Sequence, residues 1–462
     1  MKLKIVILFT LLITLLNAKA QCWRALSNGA NHTVGIKTDG TLWAWGYRTL
    51  DPLGNGMNDN SYAPNLIDAS TDWKSISAGN SHTLALKNNG TLWGWGNNVY
   101  GAIGNGTTNE QNTLIQIGND SDWKVVSAGH SRSLAIKEDG SLWGWGDNFF
   151  GFLGAGSEPR QLIPIRIGTE NNWLTVVCND INAAIKTDGT LWTWGSYNNS
   201  GELGYGTFAT GYVPTQVGIA TDWKAVSLGQ SHTIALKNNG TIWSWGANNE
   251  GQLGFVTSLV QTAPVRVGID SDWNAIGAGR WGSYFIKENG TLWGCGNPFL
   301  GNGTSTGSSI LIPINDDHDW KSISSQLNQR IALKTNGEGW GWGSNYYGQL
   351  GIGINDTSSG GYVSPIQTLC PNLGFDVPDQ LQFMLYPNPI LDKFTIDFYA
   401  ENNDIAEVLI FSMTGQKIFN YSMNTTMGAN TFYGNLSIYP VGLYLITITS
   451  NTKQYQHIIA KQ

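Results

Sequence analysis

A segment that combines a turn with two tryptophans recurs along the chain and limits the folds that the chain can adopt. In its second copy the segment reads KNNGTLWGWG over residues 87–96. Asn-Asn-Gly favours a tight turn because these residues tolerate positive φ, and the alternating apolar residues around it are typical of paired β-strands. One copy predicts a β-hairpin, whereas regular repetition predicts an array of equivalent units.

Seven copies of this segment align on a tryptophan that precedes each of them. The leading tryptophans are 50 residues apart five times and 47 residues apart once, at Trp23, Trp73, Trp123, Trp173, Trp223, Trp273 and Trp320. Each unit predicts four short strands, which in the second copy cover residues 73–78, 82–87, 91–96 and 114–118. Four antiparallel strands repeated seven times predict a seven-bladed β-propeller. A kelch-type propeller has a similar period, but Gly-Gly pairs are missing except at residues 360–361.

The composition agrees with an all-β protein and argues against some functions. Charged residues make up 13% of the 462 residues, whereas glycine (58) and tryptophan (21) are abundant, which favours tight turns and buried aromatic side chains over helices. The formal net charge is −7 and no basic run occurs, so binding of nucleic acid through its phosphates is not predicted. No zinc motif or phosphate-binding loop stands out, and we predict no metal and no cofactor.

Residues 1–20 have the pattern of a secretory signal peptide. Two lysines precede an apolar run over residues 5–16, and small residues stand just before Gln21. The run is too short to cross a bilayer and no later segment is comparable, so no transmembrane segment is predicted. We expect cleavage near Ala20–Gln21 and a mature chain that is secreted or held at the outer cell surface.

The repeat units resemble a known family. ISAGNSHTLAL (residues 76–86) and TLWGWGNNVYGAIGNG (residues 91–106) are similar to the regulator-of-chromosome-condensation repeat, and the resemblance extends over residues 23–369. It implies a seven-bladed ring but no single activity, since relatives include a nucleotide exchange factor for a small GTPase, chromatin binders, ubiquitin-ligase modules and a secreted β-lactamase inhibitor. The predicted leader argues against the exchange role, which needs a cytosolic or nuclear GTPase.

The C-terminal region has a different pattern. Residues 381–462 contain alternating strands that suit a small β-sandwich, and YPNP, MTGQKI and YPVGLYLITI resemble the type A C-terminal sorting domain of the type IX secretion system. The resemblance implies passage across an outer membrane through that machinery, followed by release or anchoring at the cell surface. The predicted organisation is a signal peptide (1–20), a propeller (21–370), a linker (371–380) and a sorting domain (381–462).

The four cysteines allow three two-bridge pairings. Cys22 and Cys370 stand at the two ends of the repeat array, which meet when a ring closes, so we predict a disulfide between them. Cys178 replaces a small residue and Cys295 replaces a tryptophan of the repeat, in units that are not adjacent. Both are therefore predicted to be free and buried.

Candidate catalytic and metal-binding residues are scattered. His32, His82 and His232 share a repeat position that other units fill with Arg132, Asn182, Gly282 and Gln329. Because their spacing around the ring is uneven, hydrogen bonding to backbone is predicted rather than metal ligation. Carboxylates in comparable loops, at Glu110, Asp147, Glu158, Glu202 and Glu250, leave a secreted hydrolase or lyase as an alternative, although no pair stands out and no catalytic residue is predicted.

Strand order places the variable loops on one face. The loops between the first and second strands (first loops) and between the third and fourth strands (long loops) lie at the same end of each unit, here named the loop face. Partner-binding candidates on it are Tyr100, Phe149, Phe150, Arg280, Trp281, Phe299, Tyr346 and Tyr347. The aromatic residues either pack beneath the long loops or form an exposed patch. Trp281 is either an anchor or a filler of the space left at Cys295.

These observations predict a secreted or cell-surface propeller that binds an extracellular protein or glycan. The alternatives are a hydrolase or lyase and a GTPase exchange factor.

Overall fold

The computed structural model divides the chain into two compact units, Met1–Cys370 and Pro371–Gln462. It describes residues 22–48, 53–56, 59–149, 151–155, 160–195, 198–256, 260–296, 298–356, 361–371, 384–386, 392–400, 403–412, 416–426, 428–450 and 453–461. The predicted signal peptide, Phe150, Glu158 and the predicted linker beyond Pro371 lie outside the described residues. The predicted domain limits therefore stay a prediction.

The described residues of the first unit form seven four-stranded antiparallel sheets whose strands follow chain order. Sheets one to three comprise β1 (Trp23–Asn28), β2 (His32–Lys37), β3 (Leu42–Gly46) and β4 (Ser61–Asp68); β5 (Trp73–Ala78), β6 (His82–Lys87), β7 (Leu92–Gly96) and β8 (Gln111–Gln116); β9 (Trp123–Ala128), β10 (Arg132–Lys137), β11 (Leu142–Asp147) and β12 (Arg160–Ile167). Sheets four and five comprise β13 (Trp173–Cys178), β14 (Asn182–Lys186), β15 (Leu191–Gly195) and β16 (Gly211–Gln216); β17 (Trp223–Leu228), β18 (His232–Lys237), β19 (Ile242–Ala247) and β20 (Val260–Arg266). Sheets six and seven comprise β21 (Trp273–Ala278), β22 (Gly282–Lys287), β23 (Leu292–Gly296) and β24 (Ser308–Pro313); β25 (Trp320–Gln326), β26 (Gln329–Lys334), β27 (Gly339–Gly343) and β28 (Tyr362–Gln367).

The recurring turn shows why the repeat sequence is so regular. Asn89 Oδ1 accepts hydrogen bonds from the Thr91 backbone N–H at 3.1 Å and from its hydroxyl at 2.7 Å. The Thr91 hydroxyl in turn accepts from Trp93 Nε1 at 3.0 Å. Gly90 has φ of 78°, and a Cβ at this position would lie 2.1 Å from the backbone oxygen of Ser121 on the connection into the next sheet. Only glycine therefore fits this position of the turn.

The core of the ring lies between neighbouring sheets. One buried cluster joins Val34, Ile36 and Leu42 of sheet one to Trp73 and Trp95 of sheet two, and similar clusters occur at the other junctions. Buried tryptophans each remove about 150–250 Å² of surface from water. Sheet-to-sheet packing of this kind, repeated around a ring, is what fixes the tryptophan frame of the sequence.

The ring closes between sheets one and seven. The first strand of each sheet contacts the first strands of its neighbours, and β1 contacts both β5 and β25. Across the closure, Trp45 Nε1 donates to the backbone oxygen of Gln349 at 3.0 Å, and Asn28 Nδ2 donates to that of Gln329 at 3.2 Å. Cys22 and Cys370 form the predicted disulfide. The first strands are thus innermost in a closed seven-bladed propeller.

In the second unit, the described residues form two antiparallel sheets that share one buried cluster. One sheet has the order β29 (Met384–Tyr386), β30 (Lys393–Ala400), β33 (Gly428–Asn435). The other has the order β32 (Lys417–Thr425), β31 (Asp404–Ser412), β34 (Gly442–Ser450), β35 (Lys453–Lys461). Alternate residues such as Phe394, Ile396 and Phe398 face the cluster, as in a β-sandwich. The predicted fold class, an all-β propeller followed by a small sandwich, is confirmed.

Within the part of the chain that the structure describes, no helix is long and apolar enough to span a membrane.

Candidate functional site

Arg280 and Trp281 form a stacked pair in the first loop of sheet six. The guanidinium lies over the Trp281 ring at 4.0 Å from its centroid, and Arg280 Nε donates to Gln230 Oε1 at 2.7 Å. Both side chains are half-buried on the loop face. The first loop thus holds this cation–π pair in place while leaving part of each side chain accessible.

Trp281 does not fill the space at Cys295. Cys295 is fully buried in the core cluster between sheets five and six, together with Phe285 and Trp273, whereas Trp281 lines a surface cleft. Phe285 occupies the strand position that Ala85 occupies in sheet two, since each pairs with the first tryptophan of its Trp-x-Trp (Trp-x-Cys in sheet six). The larger Phe285 therefore supplies the volume that the missing tryptophan leaves.

The cleft lies between sheets six and seven and has a volume of about 350 Å³. Three of the predicted aromatic candidates line it, namely Trp281, Phe299 and Tyr346. Arg330 and Asp356 line it as well, and neither was predicted from the sequence. The cleft combines aromatic surfaces with a cation and a carboxylate, which is the composition of many small-ligand sites.

The long loop of sheet six is shorter than that of sheet two, and this shortening opens the cleft. Gly104 of sheet two and Gly301 of sheet six are equivalent, because a Cβ at either position would lie within 3 Å of the buried tryptophan of the next sheet, Trp145 or Trp342. The chain from the end of the third strand to this glycine is three residues shorter in sheet six, which accounts for the single 47-residue interval. Phe299 in the shortened loop has positive φ (68°), which is uncommon for a non-glycine residue.

The remaining aromatic candidates lie elsewhere on the loop face. Tyr100 and Phe149 are exposed on sheets two and three, and Arg160 lies over the Tyr100 ring at 5.3 Å. Tyr347 is half-buried and packs against Tyr47 with 4.0 Å between ring centroids. The predicted set is therefore divided between an exposed group and a group that packs locally or lines the cleft.

A second cavity, of about 270 Å³, lies at the loop-face end of the ring axis. It is lined by residues in or directly beside the first loops of six sheets, namely Asn80, His130, Asn179, Asp180, Gln230, Gly279, Arg280, Gln326 and Leu327. Arg280 therefore points to this cavity while its neighbour Trp281 lines the cleft.

The repeat histidines hold neighbouring sheets together. Nε2 of His32, His82 and His232 lies 2.9 Å from the hydroxyl of Thr83, Ser133 and Ser283, respectively, on the following sheet. The partner is thus a side-chain hydroxyl rather than the predicted backbone. Burial lowers the pKa of His32 and His232 to about 4 and, with nearby His32 and His130, that of His82 to about 3.

The repeat position assigned to Asn182 is also corrected. Arg132, at the histidine position of sheet three, donates from Nε to Asn182 Oδ1 at 3.3 Å, so Asn182 occupies the hydroxyl position of sheet four. The backbone oxygen of Ile181 accepts from the Asn179 N–H as that of His82 accepts from Gly79, which places Ile181 at the histidine position. No group of three or more His, Cys, Asp or Glu residues in the described ranges is arranged to hold a metal.

The loop carboxylates take part in local structure. Glu202 is buried and accepts from the Ser200 N–H at 2.8 Å, and Gln252 makes the same contact with Glu250 at 2.9 Å. Burial raises the pKa of Glu202. Asp147 accepts from the Phe149 N–H at 3.0 Å. The carboxylates of Glu202 and Asp147 therefore stabilise the loops in which they lie.

Comparison with known families agrees with this geometry. The family described as "Regulator of chromosome condensation (RCC1) repeat" matches residues 39–86, 89–136, 139–180, 188–236 and 239–286, and a second model of the repeat matches residues 73–102, 123–151 and 223–252. This chain belongs to the RCC1-repeat family. Residues 384–462 match "Secretion system C-terminal sorting domain", which implies the type IX secretion machinery and supports a secreted or cell-surface RCC1-repeat propeller.

Solved structures share the fold of this RCC1-repeat protein. Human WBSCR16 is 19% identical with a TM-score of 0.65, covering 71% of this chain and 94% of its own. Yeast RCC1 (Prp20), solved with Kap60, is 21% identical with a TM-score of 0.62, covering 79% and 88%. Prp20p from Saccharomyces cerevisiae, described with its binding to Gsp1p and histones, is also 21% identical with a TM-score of 0.62, covering 79% and 90%. At these identities the likeness shows the fold alone. No curated protein matches the chain.

Proposed function

We propose that this protein is a binding module at or beyond the cell surface, and that the loop face around Arg280 and Trp281 recognises an extracellular protein or glycan. The observation that carries the proposal is the stacked, partly accessible Arg280–Trp281 pair, which the core does not need because Phe285 occupies the space beside Cys295. Tryptophan and arginine are the residues most enriched among binding hot spots. Export by the sorting domain gives such a surface access to extracellular partners.

Binding is favoured over catalysis by the use of the loop carboxylates. Glu202 and Asp147 accept hydrogen bonds from their own loops, and burial raises the pKa of Glu202. Among the described residues, no group of three or more His, Cys, Asp or Glu is arranged to hold a metal beside them. The exchange activity known among RCC1-repeat relatives requires a GTPase inside the cell, which an exported chain does not meet. The proposed role therefore consists of recognition by a rigid scaffold.

The proposal is tested by replacing Trp281 with alanine in the full chain. Protein and glycan material released from the cell surface is passed over immobilised wild type and Trp281→Ala, and the bound species are quantified. We expect Trp281→Ala to bind this material with an affinity at least about thirtyfold lower than that of wild type, which is the effect of losing a hot-spot residue. The melting temperature should change little. Ile219→Ala, at a 95% exposed position on the opposite face, is the matched control.

Equal binding by wild type and Trp281→Ala would overturn the assignment of this surface. A large drop in melting temperature for Trp281→Ala alone would show that the residue supports the fold instead.

A further inference from the structure

At three of the seven junctions, neighbouring propeller sheets are linked by the same pair of side chains. A histidine of one sheet lies 2.9 Å from a threonine or serine hydroxyl of the next sheet, as in His82 and Ser133. The hydroxyl then donates to a long-loop carbonyl, as Ser133 does to Ala102 at 2.7 Å. At the junction of sheets six and seven the histidine position holds Gly282 and the hydroxyl position holds Arg330, which pair with Gly296 and Trp342 in equivalent registers. Both members of the pair are thus replaced together.

The two replacements fit each other. A Cβ on Gly282 would already lie 3.5 Å from Arg330 Nη2, so the larger histidine of other sheets would extend into the space of the guanidinium. The same junction has the shortened long loop of sheet six, and Trp342 Nε1 has no hydrogen-bond partner there among the described residues, whereas Trp145 Nε1 donates to the long-loop oxygen of Ala102 at 2.8 Å. Glycine, arginine and a short loop together create the cleft.

Arg330 is buried without a compensating charge. It is 3% exposed, its Nε is buried without a hydrogen-bond partner, and no ion pair joins it to a residue that the structure describes. Its guanidinium lies 5.5 Å from the centroid of the Tyr284 ring, and its positive charge opposes the burial that raises the pKa of the neutral Tyr284 hydroxyl. A buried guanidinium that is neither paired nor fully hydrogen-bonded opposes folding, so a further role has to account for it.

Arg132 shows what a structural arginine looks like in the same ring. It is also 3% exposed, but its Nη2 donates to the backbone oxygens of Asn179 at 2.7 Å and Asp180 at 2.6 Å. Its Nε donates to Asn182 at 3.3 Å. Arg132 therefore satisfies its hydrogen-bonding groups within the protein, whereas Arg330 has an unpaired Nε and lines the cleft.

The buried positive charge of Arg330 favours a ligand with an anionic group, and the other residues that line the cleft indicate the chemistry of the rest of that ligand. The rings of Trp281, Phe299 and Tyr346 line it, and flat aromatic surfaces pack well against the C–H face of a pyranose ring. Asn328 and Asp356 also line it. A carboxylate accepts hydrogen bonds from hydroxyl groups, so a ligand with hydroxyls beside its anionic group suits this lining better than an acidic peptide.

We propose that the cleft between sheets six and seven binds an acidic sugar, with the carboxylate of a uronic acid on the Arg330 guanidinium and the sugar ring against Trp281. Guanidinium and carboxylate match in a two-pronged, charge-assisted geometry that a compact cation does not offer. The proposal rests on the proposed function in one respect, since both place the ligand beside Trp281, and it names the class of glycan recognised there.

The test uses the full chain and free sugars. Isothermal titration compares D-glucuronate and D-galacturonate with neutral D-glucose, for wild type and for Gly282→His/Arg330→Thr, which restores the pair found at other junctions. We expect one of the two uronates to bind wild type at least about tenfold more tightly than glucose, and this binding to weaken at least about thirtyfold in the double variant. Arg160→Gln, which removes a positive charge from sheet three, is expected to leave uronate binding within about twofold.

The outcomes separate this proposal from the one before it. If neither uronate binds wild type more tightly than glucose, the acidic-sugar site is overturned, while Trp281-dependent capture of surface material can still stand. Binding of N-acetylglutamate as tight as that of the uronates would overturn the sugar assignment. Should the double variant not fold, the uronate-induced rise in the melting temperature of wild type, and its loss in high salt, test the same charge pairing.

Discussion

The disulfide between Cys22 and Cys370 joins the residue before the first strand of the ring to the segment after the last strand of sheet seven, across a sequence separation of 348 residues. The same junction is held by hydrogen bonds, including that of Trp45 Nε1 to the Gln349 backbone oxygen at 3.0 Å. Closure is thus both covalent and non-covalent. The covalent part restricts the unfolded chain, while the hydrogen bonds act only in the folded ring.

Removal of this bridge is expected to destabilise the propeller without abolishing it. For a loop of this length the chain-entropy contribution is about 5–6 kcal/mol, and strain or residual structure in the unfolded chain reduces the measured value. Urea denaturation of Cys22→Ser/Cys370→Ser should show a loss of several kcal/mol. Cys178→Ala, which introduces the alanine found at Ala78 in sheet two, is the matched control and should be close to wild type. Superimposable unfolding curves for all three proteins would contradict a stabilising bridge.

Cys178 and Cys295 are expected to resist alkylation in the folded protein. Burial raises the pKa of the Cys178 thiol to about 11 and that of the Cys295 thiol to about 12, so neither is ionised near neutral pH. Iodoacetamide treatment followed by mass spectrometry should label neither residue in native protein, both in unreduced guanidinium, and all four cysteines after reduction. Native labelling of Cys178 or a free Cys22 would contradict the assignment.

The inner strands could be predicted from the sequence more closely than the outer ones. Residues 73–78 and 82–87 match β5 and β6, because their buried residues recur at the same spacing in every unit. The fourth strand of the same sheet begins at Gln111 rather than at residue 114, since half-exposed outer strands lack a strong apolar alternation. Comparison of the repeats identifies the buried residues that all inner strands share. The fourth strands are partly exposed and share fewer apolar positions, so their limits are harder to predict.

The cleft could be predicted only in part. Its aromatic residues stand out as departures from the repeat. Arg330, however, can be recognised as part of a site only together with Gly282, which is 48 residues away and on another sheet. A search for paired departures from the repeat, one sheet apart, would have found both together with the shortened loop. The sequence does not show which positions of adjacent sheets face each other until the His82–Ser133 type of contact is known.

Acid is expected to destabilise the propeller through its buried histidines. The pKa of His82 is lowered to about 3 in the folded protein, below its ordinary value near 6.5, so the unfolded chain binds more protons between these values. Stability is therefore fully present above pH 6.5 and is lost as the pH falls, by up to about 1.4 kcal/mol per pH unit for each such histidine. His32 and His232, with pKa values of about 4, contribute in the same direction.

The measurement is the free energy of unfolding in urea between pH 7 and pH 5. His82→Gln introduces the residue found at Gln329 in sheet seven, and its pH dependence should be shallower than that of wild type. His130→Asn, at an exposed neighbouring position, is the matched control. Equal slopes for His82→Gln and His130→Asn would show that His82 is not the buried neutral group that acid must protonate.

Restoring the repeat pair at the cleft is expected to stabilise the ligand-free protein. Gly282→His/Arg330→Thr removes a buried charge that has no partner among the described residues and adds a histidine–hydroxyl pair, a change that should raise stability by about 1–3 kcal/mol. The comparison is Arg132→Ala, which removes three hydrogen bonds and should lower stability. Melting temperatures of both variants without sugar provide the measurement. A large loss of stability in the double variant would show that Arg330 supports the fold.

The exchange of volume between Phe285 and Cys295 predicts a coupled pair of substitutions. A Cβ on Gly254 would lie 3.2 Å from Cys295 Sγ, as a Cβ on Gly204 would lie 2.7 Å from Trp245 Nε1. The glycine that accommodates the tryptophan in other sheets is therefore also present beside Cys295. Phe285→Ala alone should cost about 3–5 kcal/mol through the cavity that it leaves. Cys295→Trp alone should cost about 1–3 kcal/mol through overpacking. Together they recreate the alanine–tryptophan pair of Ala85 and Trp95, and the double variant should return close to the stability of wild type.

A double-mutant cycle in urea measures this coupling, and we expect the double variant to be more stable than the sum of the two changes by at least about 2 kcal/mol. Trp281→Ala combined with Cys295→Trp is the matched comparison, because it would show such compensation only if Trp281 filled the space beside Cys295. Additive costs in the first cycle and compensation in the second would assign the filling role to Trp281 and remove the argument that it is kept for binding. Compensation confined to Phe285 and Cys295 leaves Trp281 outside the core, at the wall of the cleft that it lines beside Arg330.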